Sequence, residues 1–132
     1  MLKSLLIAGI ISFISLSLVS FNSNPFQDIK KGKEVYGLYC QNCHMEKGEG
    51  IPELYPPLAK TNYLKDAKKM IGIILKGQSG EITVKGKKYN VEMPAQDYLT
   101  DEQIADVLNY VRNSWGNKYP LITKAQVKAV RK

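Results

Sequence analysis

The most regular pattern of hydrophobic and polar side chains lies between residues 100 and 116. Apolar residues recur there every three or four positions, which is the period of an α-helix: Ile104, Val107, Leu108, Val111 and Trp115. Thr100 and Gln103 have the spacing of a capping box, and Gly116 can end the helix. The pattern predicts an amphipathic helix on the order of 20 Å long.

Two shorter helices are predicted upstream of this segment. The first is capped by Asp28 and delivers Cys40 to its end, and its inward positions carry Ile29, Gly32, Val35, Tyr36 and Tyr39. The second covers residues 65–76 and stops before Gly77 and Gly80. Its apolar side carries Met70, Ile71, Ile74 and Leu75. Each pattern predicts a helix with one buried face.

Between these helices the helical period is lost. Glycines and the prolines Pro52, Pro56 and Pro57 predict irregular backbone over residues 45–60, wrapped over a ligand. Short β-prone runs at residues 82–84 and 88–91 lie on either side of a glycine-containing turn and predict a small hairpin. Two strands alone are marginally stable, so this hairpin is expected to lean on the rest of the domain.

The two ends of the chain differ from its middle. Residues 1–20 carry one positive charge ahead of a long apolar run, which is typical of a secretory signal peptide, with retention as an N-terminal membrane anchor as the alternative. Residues 21–27 are a predicted linker and residues 28–116 a predicted domain. Residues 117–132 hold five basic residues and no acid. We expect a solvated basic tail there, with a last amphipathic turn or two from Thr123 as the alternative.

The formal net charge is +7, and it falls to +6 without residues 1–20, which contain one lysine and no acid. Nucleic acid is not expected as a partner, because the lysines are scattered and no nucleic-acid-binding motif is present. An acidic docking surface on a partner protein, or an anionic membrane surface, suits the charge better.

Both cysteines and the only histidine lie together in Cys40-Gln41-Asn42-Cys43-His44. Two thiols at this spacing can each add across a vinyl group of one porphyrin, and the adjacent imidazole can bind its iron, so the motif indicates one covalently attached haem c. A structural zinc site needs a fourth donor that the chain does not cluster here. A disulfide would close a very short loop, and a thioredoxin-like dithiol requires a strand where the pattern is helical.

The second axial position on the iron must be filled by another residue type, because His44 is the only histidine. A methionine thioether suits a low-spin haem iron. Met1 lies in the N-terminal segment, Met45 is held on the histidine side by its neighbour, and Met70 fits the role of core filler. Met93 precedes a proline, which keeps its segment extended, and we assign Met93 as the second ligand.

Taken in order, these features resemble the class I cytochromes c. A helix runs into the Cys-x-x-Cys-His motif, and a proline-rich loop, a Met-Pro dipeptide and a last helix follow, all within residues 28–116. The resemblance implies an all-α cytochrome c fold, with N- and C-terminal helices crossed around one covalently bound haem and a small β-hairpin before Met93. It also implies a helix crossing built from Gly32, Tyr36, Val107, Tyr110 and Val111.

Residue roles follow from the chemistry and the resemblance together. Cys40 and Cys43 would hold the porphyrin, and His44 and Met93 would bind the iron. A backbone carbonyl of the proline-rich loop, from Pro56 or Pro57, would accept the proton on the other ring nitrogen of the histidine. Expected wall residues are Leu58, Ile71, Leu75, Leu99 and Val107. Candidates for bonding a haem propionate are Tyr55, Tyr63, Tyr89 and Trp115.

The sequence departs from the family at Met45, which replaces a glycine that often follows the attachment histidine. We expect this change to alter access at the exposed haem edge without threatening ligation of the iron. Several lysines are expected to ring that edge and steer the protein towards an acidic partner, with a spread for solubility as the alternative: Lys30, Lys31, Lys33, Lys47, Lys85, Lys87 and Lys88.

An iron with both axial positions filled offers no open site to a substrate. The expected function is therefore outer-sphere transfer of single electrons between redox partner proteins, by a carrier and not an enzyme. Its expected location is the periplasm or the outer face of the cytoplasmic membrane. Two alternatives stay open: a haem sensor or haem enzyme in which Met93 is displaced, and a cytochrome subunit of a larger membrane oxidoreductase.

Overall fold

The computed structural model describes residues 25–132, with side chains from residue 29 onward. This part of the chain forms helix α1 (Pro25–Tyr39), the single turn α2 (Gln41–His44), a 3₁₀ turn (Asn62–Leu64), helix α3 (Ala67–Lys76), strands β1 (Ile82–Val84) and β2 (Lys87–Tyr89), and helices α4 (Asp101–Arg112) and α5 (Lys124–Arg131). The predicted signal peptide or anchor at residues 1–20 lies outside the described residues. No helix between residues 25 and 132 is long and apolar enough to cross a bilayer.

Helix α1 begins at Pro25, so the predicted cap at Asp28 is wrong, and residues 25–27 of the predicted linker belong to the helix. A proline suits the first turn of a helix, because its missing N–H would have no helical partner there and its φ is already helical. Buried residues of α1 include Val35 and Tyr36, as predicted. Tyr39 is a correction: it is 41% exposed, at the end of the helix.

Helices α1 and α4 cross at Gly32, as the family resemblance implied. A Cβ atom at this position would lie 2.0 Å from the carbonyl oxygen of Asp106 and 2.8 Å from Cβ of Tyr110. The rings of Tyr36 and Tyr110 pack beside this point, with centroids 5.5 Å apart. A residue without a side chain is therefore required for the two backbones to approach this closely.

Helix α3 forms the next layer of the core. The Asp66 side chain caps its start by accepting from the backbone N–H of Lys69 at 3.0 Å, and Gly77, with φ +76°, ends it. All four residues predicted for its apolar side are buried: Met70, Ile71, Ile74 and Leu75. Together with Ile104 and Val107 of α4 they belong to one hydrophobic cluster.

Helix α4 opens with the predicted capping box of Thr100 and Gln103. It ends at Arg112, however, before the predicted stop at Gly116. Trp115 lies beyond the helix in left-handed backbone, with φ +51°, so its place in the apolar period is coincidental. Its ring instead packs against Tyr36, with centroids 5.1 Å apart.

The expectation of a solvated basic tail is wrong for residues 117–131. A second capping box, of Thr123 and Gln126, opens α5, and Val127 is completely buried in the main hydrophobic cluster. Helix α5 packs on both α3 and α4. The basic residues lie on the outside of this short helix, and only a few apolar residues anchor its inner side. Because α5 is packed on the other helices, the domain continues past residue 116.

Buried polar side chains of α4 hold this C-terminal extension in place. Asn109 exchanges two hydrogen bonds with the backbone of Ile122, donating to its carbonyl at 2.9 Å and accepting from its N–H at 2.7 Å. Arg112 is 2% exposed and donates to the carbonyls of Leu64, Lys65 and Pro120 at 3.0, 3.1 and 2.7 Å. These bonds satisfy a charge and several backbone groups that would otherwise be costly to bury.

The predicted hairpin is present: β1 has the predicted bounds, whereas β2 begins one residue earlier and ends two residues sooner than predicted. Ile82 pairs with Tyr89 and Val84 with Lys87, so the connection is a turn of two residues, Lys85 and Gly86, both with positive φ. That is the turn type whose twist suits a two-residue hairpin. Val84 and Tyr89 are buried, which shows how this small sheet leans on the domain.

Candidate functional site

The Cys-x-x-Cys-His motif occupies the junction of α1 and α2. The backbone N–H of Cys40 continues the first helix by donating to the Tyr36 carbonyl at 2.9 Å, and the N–H of His44 donates to the Cys40 carbonyl at 3.0 Å. Helical spacing of three and four residues brings Cys40, Cys43 and His44 onto one side of this turn. All three side chains line the same cleft.

That cleft runs between the motif and the opposite side of the domain, and its lining is almost entirely apolar. The lining side chains come from α3, α4, the hairpin and the loops, and include Leu58, Ile74, Val84, Leu99, Val107 and Val111. Among the described lining residues, Glu92 is the one with a formal charge at neutral pH. A planar apolar group carrying a polar edge suits such a cleft.

His44 is fixed by its backbone partner. Its Nδ1 lies 3.0 Å from the carbonyl oxygen of Pro56, which confirms the first of the two predicted carbonyl partners. A carbonyl can only accept, so Nδ1 carries the proton and Nε2 keeps its lone pair. Burial lowers the pKa of His44, against a smaller opposing effect of the Pro56 carbonyl. The net effect favours the neutral form of the imidazole, with Nε2 free of a proton.

The proximal loop that supplies this carbonyl is tightly folded. Gly50, with φ +66°, lets the chain turn where a Cβ atom would lie 2.4 Å from the Tyr55 carbonyl oxygen. The N–H of Ile51 donates to the same carbonyl at 2.9 Å. Sequence analysis predicted irregular backbone here, and the structure shows a loop whose packing determines the position of the Pro56 carbonyl.

Met93 also lines the cleft, at the start of the segment that follows the hairpin. Its backbone exchanges two hydrogen bonds of 2.9 Å with Gln78, and its carbonyl packs closely over Gly77. The chain is thus held in an extended form ahead of Pro94, as predicted. Met70 lines the cleft as well and is only 5% exposed, so both methionine side chains reach this space.

The predicted wall residues divide into two groups. Leu58, Leu99 and Val107 line the cleft. Ile71 and Leu75 are corrections, because they are buried in the hydrophobic cluster but are not among the lining residues. Their helix presents Met70, Ile73 and Ile74 to the cleft instead. Successive residues of a helix are rotated by about 100° around its axis, so Ile71 and Leu75 point to a different side of α3 from Met70 and Ile74. Both sides are apolar, and the sequence pattern alone does not determine which of them faces a ligand.

Of the four aromatic candidates for a polar contact, Tyr55, Tyr63 and Tyr89 line the cleft and Trp115 does not. Tyr63 is distinctive because its hydroxyl is buried without a hydrogen-bond partner among the described residues. Lys69 lies over its ring, 4.1 Å from the centroid. A buried phenol that lacks a partner suits a ligand carrying an acceptor, such as the carboxylate of a haem propionate.

Gln78 and Gln96 also line the cleft, and sequence analysis missed both. Neither belongs to a recognisable motif, although their positions next to a glycine stop and a Met-Pro dipeptide were a weak signal. Cys40 and Cys43 are free and half-buried. Burial, with a smaller contribution from Cys43, raises the pKa of the Cys40 thiol to about 12, which does not suit a dithiol that exchanges disulfides as a thiolate.

Two cysteines, one neutral histidine and a methionine around an apolar cleft, beneath a crossed pair of helices, define a c-type haem protein. Comparison with known proteins agrees: the family model described as Cytochrome c matches residues 29–115, about two thirds of the chain. The chain belongs to the cytochrome c family, which is a family of electron carriers.

Similarity to individual proteins points to two settings for such a domain. Cytochrome c-552 of Thermus thermophilus is 41% identical over 91 residues, covering 65% of this chain and 69% of that protein. The cytochrome c subunit of alcohol dehydrogenase (quinone) from Gluconobacter oxydans is 34% identical over 92 residues, covering 67% of this chain. The cytochrome c subunit of gluconate 2-dehydrogenase from Pantoea cypripedii is 34% identical over 111 residues. The aligned regions cover 19% and 25% of those two subunits.

Proposed function

We propose that this protein is a mono-haem c-type cytochrome that carries single electrons between redox partners by outer-sphere transfer. In this proposal Cys40 and Cys43 hold one haem c through thioether bonds, and His44 and Met93 are its axial ligands. The observation that carries the proposal is the hydrogen bond from His44 Nδ1 to Pro56, inside the cleft that both thiols and Met93 also line.

The cleft residues fit the group in three respects. The thiols have the spacing of a porphyrin attachment motif. The neutral imidazole leaves Nε2 available to a metal, and its orientation is fixed by the Pro56 carbonyl. The unpartnered hydroxyl of Tyr63 offers a hydrogen bond to a propionate oxygen. The two thiols, the imidazole, the apolar lining and the Tyr63 hydroxyl therefore all suit a bound haem.

When bound, the haem supplies an iron that gains or loses one electron. The chain contributes the environment for that change. Apolar side chains such as Leu99, Val107 and Val111 keep water from the cleft, which limits solvent reorganisation. His44, held by the Pro56 carbonyl, and Met93 would both bind the metal, which would then have no position for a substrate. The extended Met93 segment is bonded to Gln78, so the thioether is carried by fixed backbone.

The axial assignment is tested by the absorption spectrum of the oxidised protein, in which a weak long-wavelength band reports sulfur bound to iron. We expect Met93→Ala to abolish the band and Met70→Ala, the matched variant on the other cleft-lining methionine, to keep it. The opposite result would transfer the ligand role to Met70. Carbon monoxide binding by the reduced wild-type protein near neutral pH would favour a sensor or enzyme with a displaceable Met93.

A second setting is supported by the relatives that are cytochrome c subunits of dehydrogenases. In that setting the domain is the cytochrome subunit of a larger membrane oxidoreductase, and residues 1–20 are its N-terminal anchor instead of a cleaved signal peptide. Both forms place the domain in the periplasm or on the outer face of the cytoplasmic membrane. Fractionation of the native protein, with N-terminal sequencing of the mature chain, separates the two: a soluble protein lacking the segment supports the free carrier.

A further inference from the structure

Met45, the residue directly after His44, has a backbone conformation that side chains strongly disfavour. Its φ is +63° and its ψ is 165°, a region populated almost only by glycine. Something in the surrounding structure must therefore hold a strained residue next to the proposed iron ligand.

Three hydrogen bonds hold Met45 on both sides of its α-carbon. Its N–H donates to the Gln41 carbonyl at 2.8 Å. Its carbonyl accepts from the Tyr36 hydroxyl at 2.6 Å and from the Gly48 N–H at 3.2 Å. Two of these bonds are local backbone contacts, whereas the phenol comes from the helix one turn before the motif. The shortest of the three is the side-chain bond.

Tyr36 is well placed for this role because it cannot easily move. The side chain is 1% exposed, and its ring packs against Tyr110 and Trp115 with centroids 5.5 and 5.1 Å away. The same side chain lies at the crossing of α1 and α4, beside Gly32. Its hydroxyl therefore connects the packing at the helix crossing to the backbone that follows His44.

We propose that Tyr36 is a positioning residue for His44, which acts by holding the carbonyl of Met45 and so the direction of the chain on the histidine side of the cleft. The imidazole then has two independent restraints: Pro56 on its ring and Tyr36 on the backbone that follows it. This inference rests on the proposed role of His44 as an axial ligand. It assigns separate functions to the ring of Tyr36, which packs, and to its hydroxyl, which positions.

The test is a set of holoprotein variants that removes the hydroxyl and the strain separately. Tyr36→Phe keeps the ring and loses the bond, and we expect the folding equilibrium constant to fall about tenfold. In the Met45→Gly background the same change is expected to cost more, because glycine has no strain to release, whereas in the wild-type protein relaxation of Met45 offsets part of the lost bond. In the Met45→Ala background the smaller, wild-type loss should return, since alanine keeps the Cβ atom that causes the strain.

A spectroscopic readout distinguishes positioning from general stability. The proton resonances of the haem methyl groups in the oxidised protein depend on the orientation of the axial imidazole. Tyr36→Phe should change their pattern, and Met45→Gly combined with it should restore the wild-type pattern. Tyr110→Phe, which removes a hydroxyl from the same aromatic cluster, should leave the pattern unchanged.

Two results would overturn the inference. Equal losses from Tyr36→Phe in the wild-type and Met45→Gly backgrounds would mean that the hydroxyl does not act through Met45. An unchanged methyl pattern with a loss of stability would reduce Tyr36 to a core residue. Covalent haem in the wild-type protein is checked first by mass spectrometry: its absence would remove the proposed function and this inference with it, whereas its presence leaves the inference to be decided by the variants.

Discussion

Gly32 and Asp106 are in contact where α1 crosses α4, with room for no Cβ atom between them: such an atom on Gly32 would lie 2.0 Å from the Asp106 carbonyl oxygen. Gly32→Ala should force the helices apart and lower the free energy of unfolding by about 3 kcal/mol. Gly37→Ala, on the same helix, is the control, because its added Cβ meets only the Gln41 side chain at 3.8 Å.

The expected effect of the control has the opposite sign. A glycine to alanine change at an open helical position stabilises by roughly 0.5–1 kcal/mol. Guanidinium unfolding of the two holoprotein variants measures both. If the variants were equally stable, close approach at Gly32 would not determine the crossing.

Arg131, near the end of α5, holds that helix to the segment between Met93 and α4. Its guanidinium donates to the Asp101 carboxylate at 2.6 Å and to the carbonyls of Asp97 and Leu99 at 2.7 and 2.6 Å. We expect Arg131→Ala to lower the free energy of unfolding by about 2 kcal/mol, since several charge-assisted hydrogen bonds are lost at once. Lys128→Ala, on the exposed side of α5, should stay within about 0.5 kcal/mol of wild type.

Chemical denaturation at low and at high salt checks this prediction. The loss in Arg131→Ala should persist at high salt, because most of its bonds are to backbone carbonyls and only one is an ion pair. A loss that disappears at high salt would instead assign the effect to the ion pair with Asp101.

The buried hydroxyl of Tyr63 is expected to matter only because of what binds in the cleft. Tyr63→Phe should cost about 1 kcal/mol of holoprotein stability through the lost hydrogen bond to a propionate. It should also lower the reduction potential, because a carboxylate with fewer donors favours the oxidised iron. Protein-film voltammetry and denaturation measure the two effects.

Tyr119→Phe is the matched variant, since the Tyr119 hydroxyl donates to the Thr61 carbonyl at 3.0 Å instead of facing the cleft without a partner. It should cost a similar amount of stability and leave the potential unchanged. Equal potentials in wild type and Tyr63→Phe would rule out Tyr63 as a propionate ligand.

Lysines at the hairpin are expected to steer the protein towards acidic partners. Lys85 and Lys87 are exposed at the turn, and Lys88 pairs with Glu81 at 2.9 Å. The rate of electron transfer to an anionic redox protein should fall as ionic strength rises towards about 0.15 M, where the Debye length is about 8 Å. Lys85→Ala combined with Lys87→Ala should make that dependence shallower, whereas Lys124→Ala on α5 should not. An electron-transfer rate of the wild-type protein that does not change with ionic strength would exclude electrostatic steering.

Helix caps, helix stops and apolar helix faces depend on residues that are close in sequence, and several of these features were predicted correctly. The capping box at Thr100, the glycine stop at Gly77 and the apolar face of α3 appear as expected. Helix α5 was predicted only as the alternative to a solvated tail, because its burial depends on only a few apolar anchors, chiefly Val127, and on polar side chains of another helix, such as Asn109 and Arg112. A buried arginine that binds distant carbonyls has no local sequence signature.

The candidate site was predictable where chemistry restricts the choice. A single histidine, two cysteines at haem spacing and a Met-Pro dipeptide left few options. The need to fix the histidine tautomer predicted a carbonyl of Pro56 or Pro57 as its partner, and the structure shows Pro56. The wall was less predictable, because Ile71 and Ile74 are both apolar and only the rotation of α3 decides which one faces the cleft. The strained backbone at Met45 was also not predictable, since the hydrogen bond that its carbonyl accepts from the Tyr36 hydroxyl has no local sequence signature.

The dependence of α5 on Arg131 has a consequence for how the protein is assembled. Ribosomes make the chain from its N-terminus, so Cys40, Cys43 and His44 are complete long before α4 and α5 exist. The far walls of the cleft, at Leu99 and Val107, can form only after α4 has been made, and the bond from Arg131 to Leu99 only after α5 has been made. The two thiols thus remain accessible in a nascent chain that cannot yet close. This connectivity favours attachment of a large planar group before folding, after which the rest of the domain wraps around it.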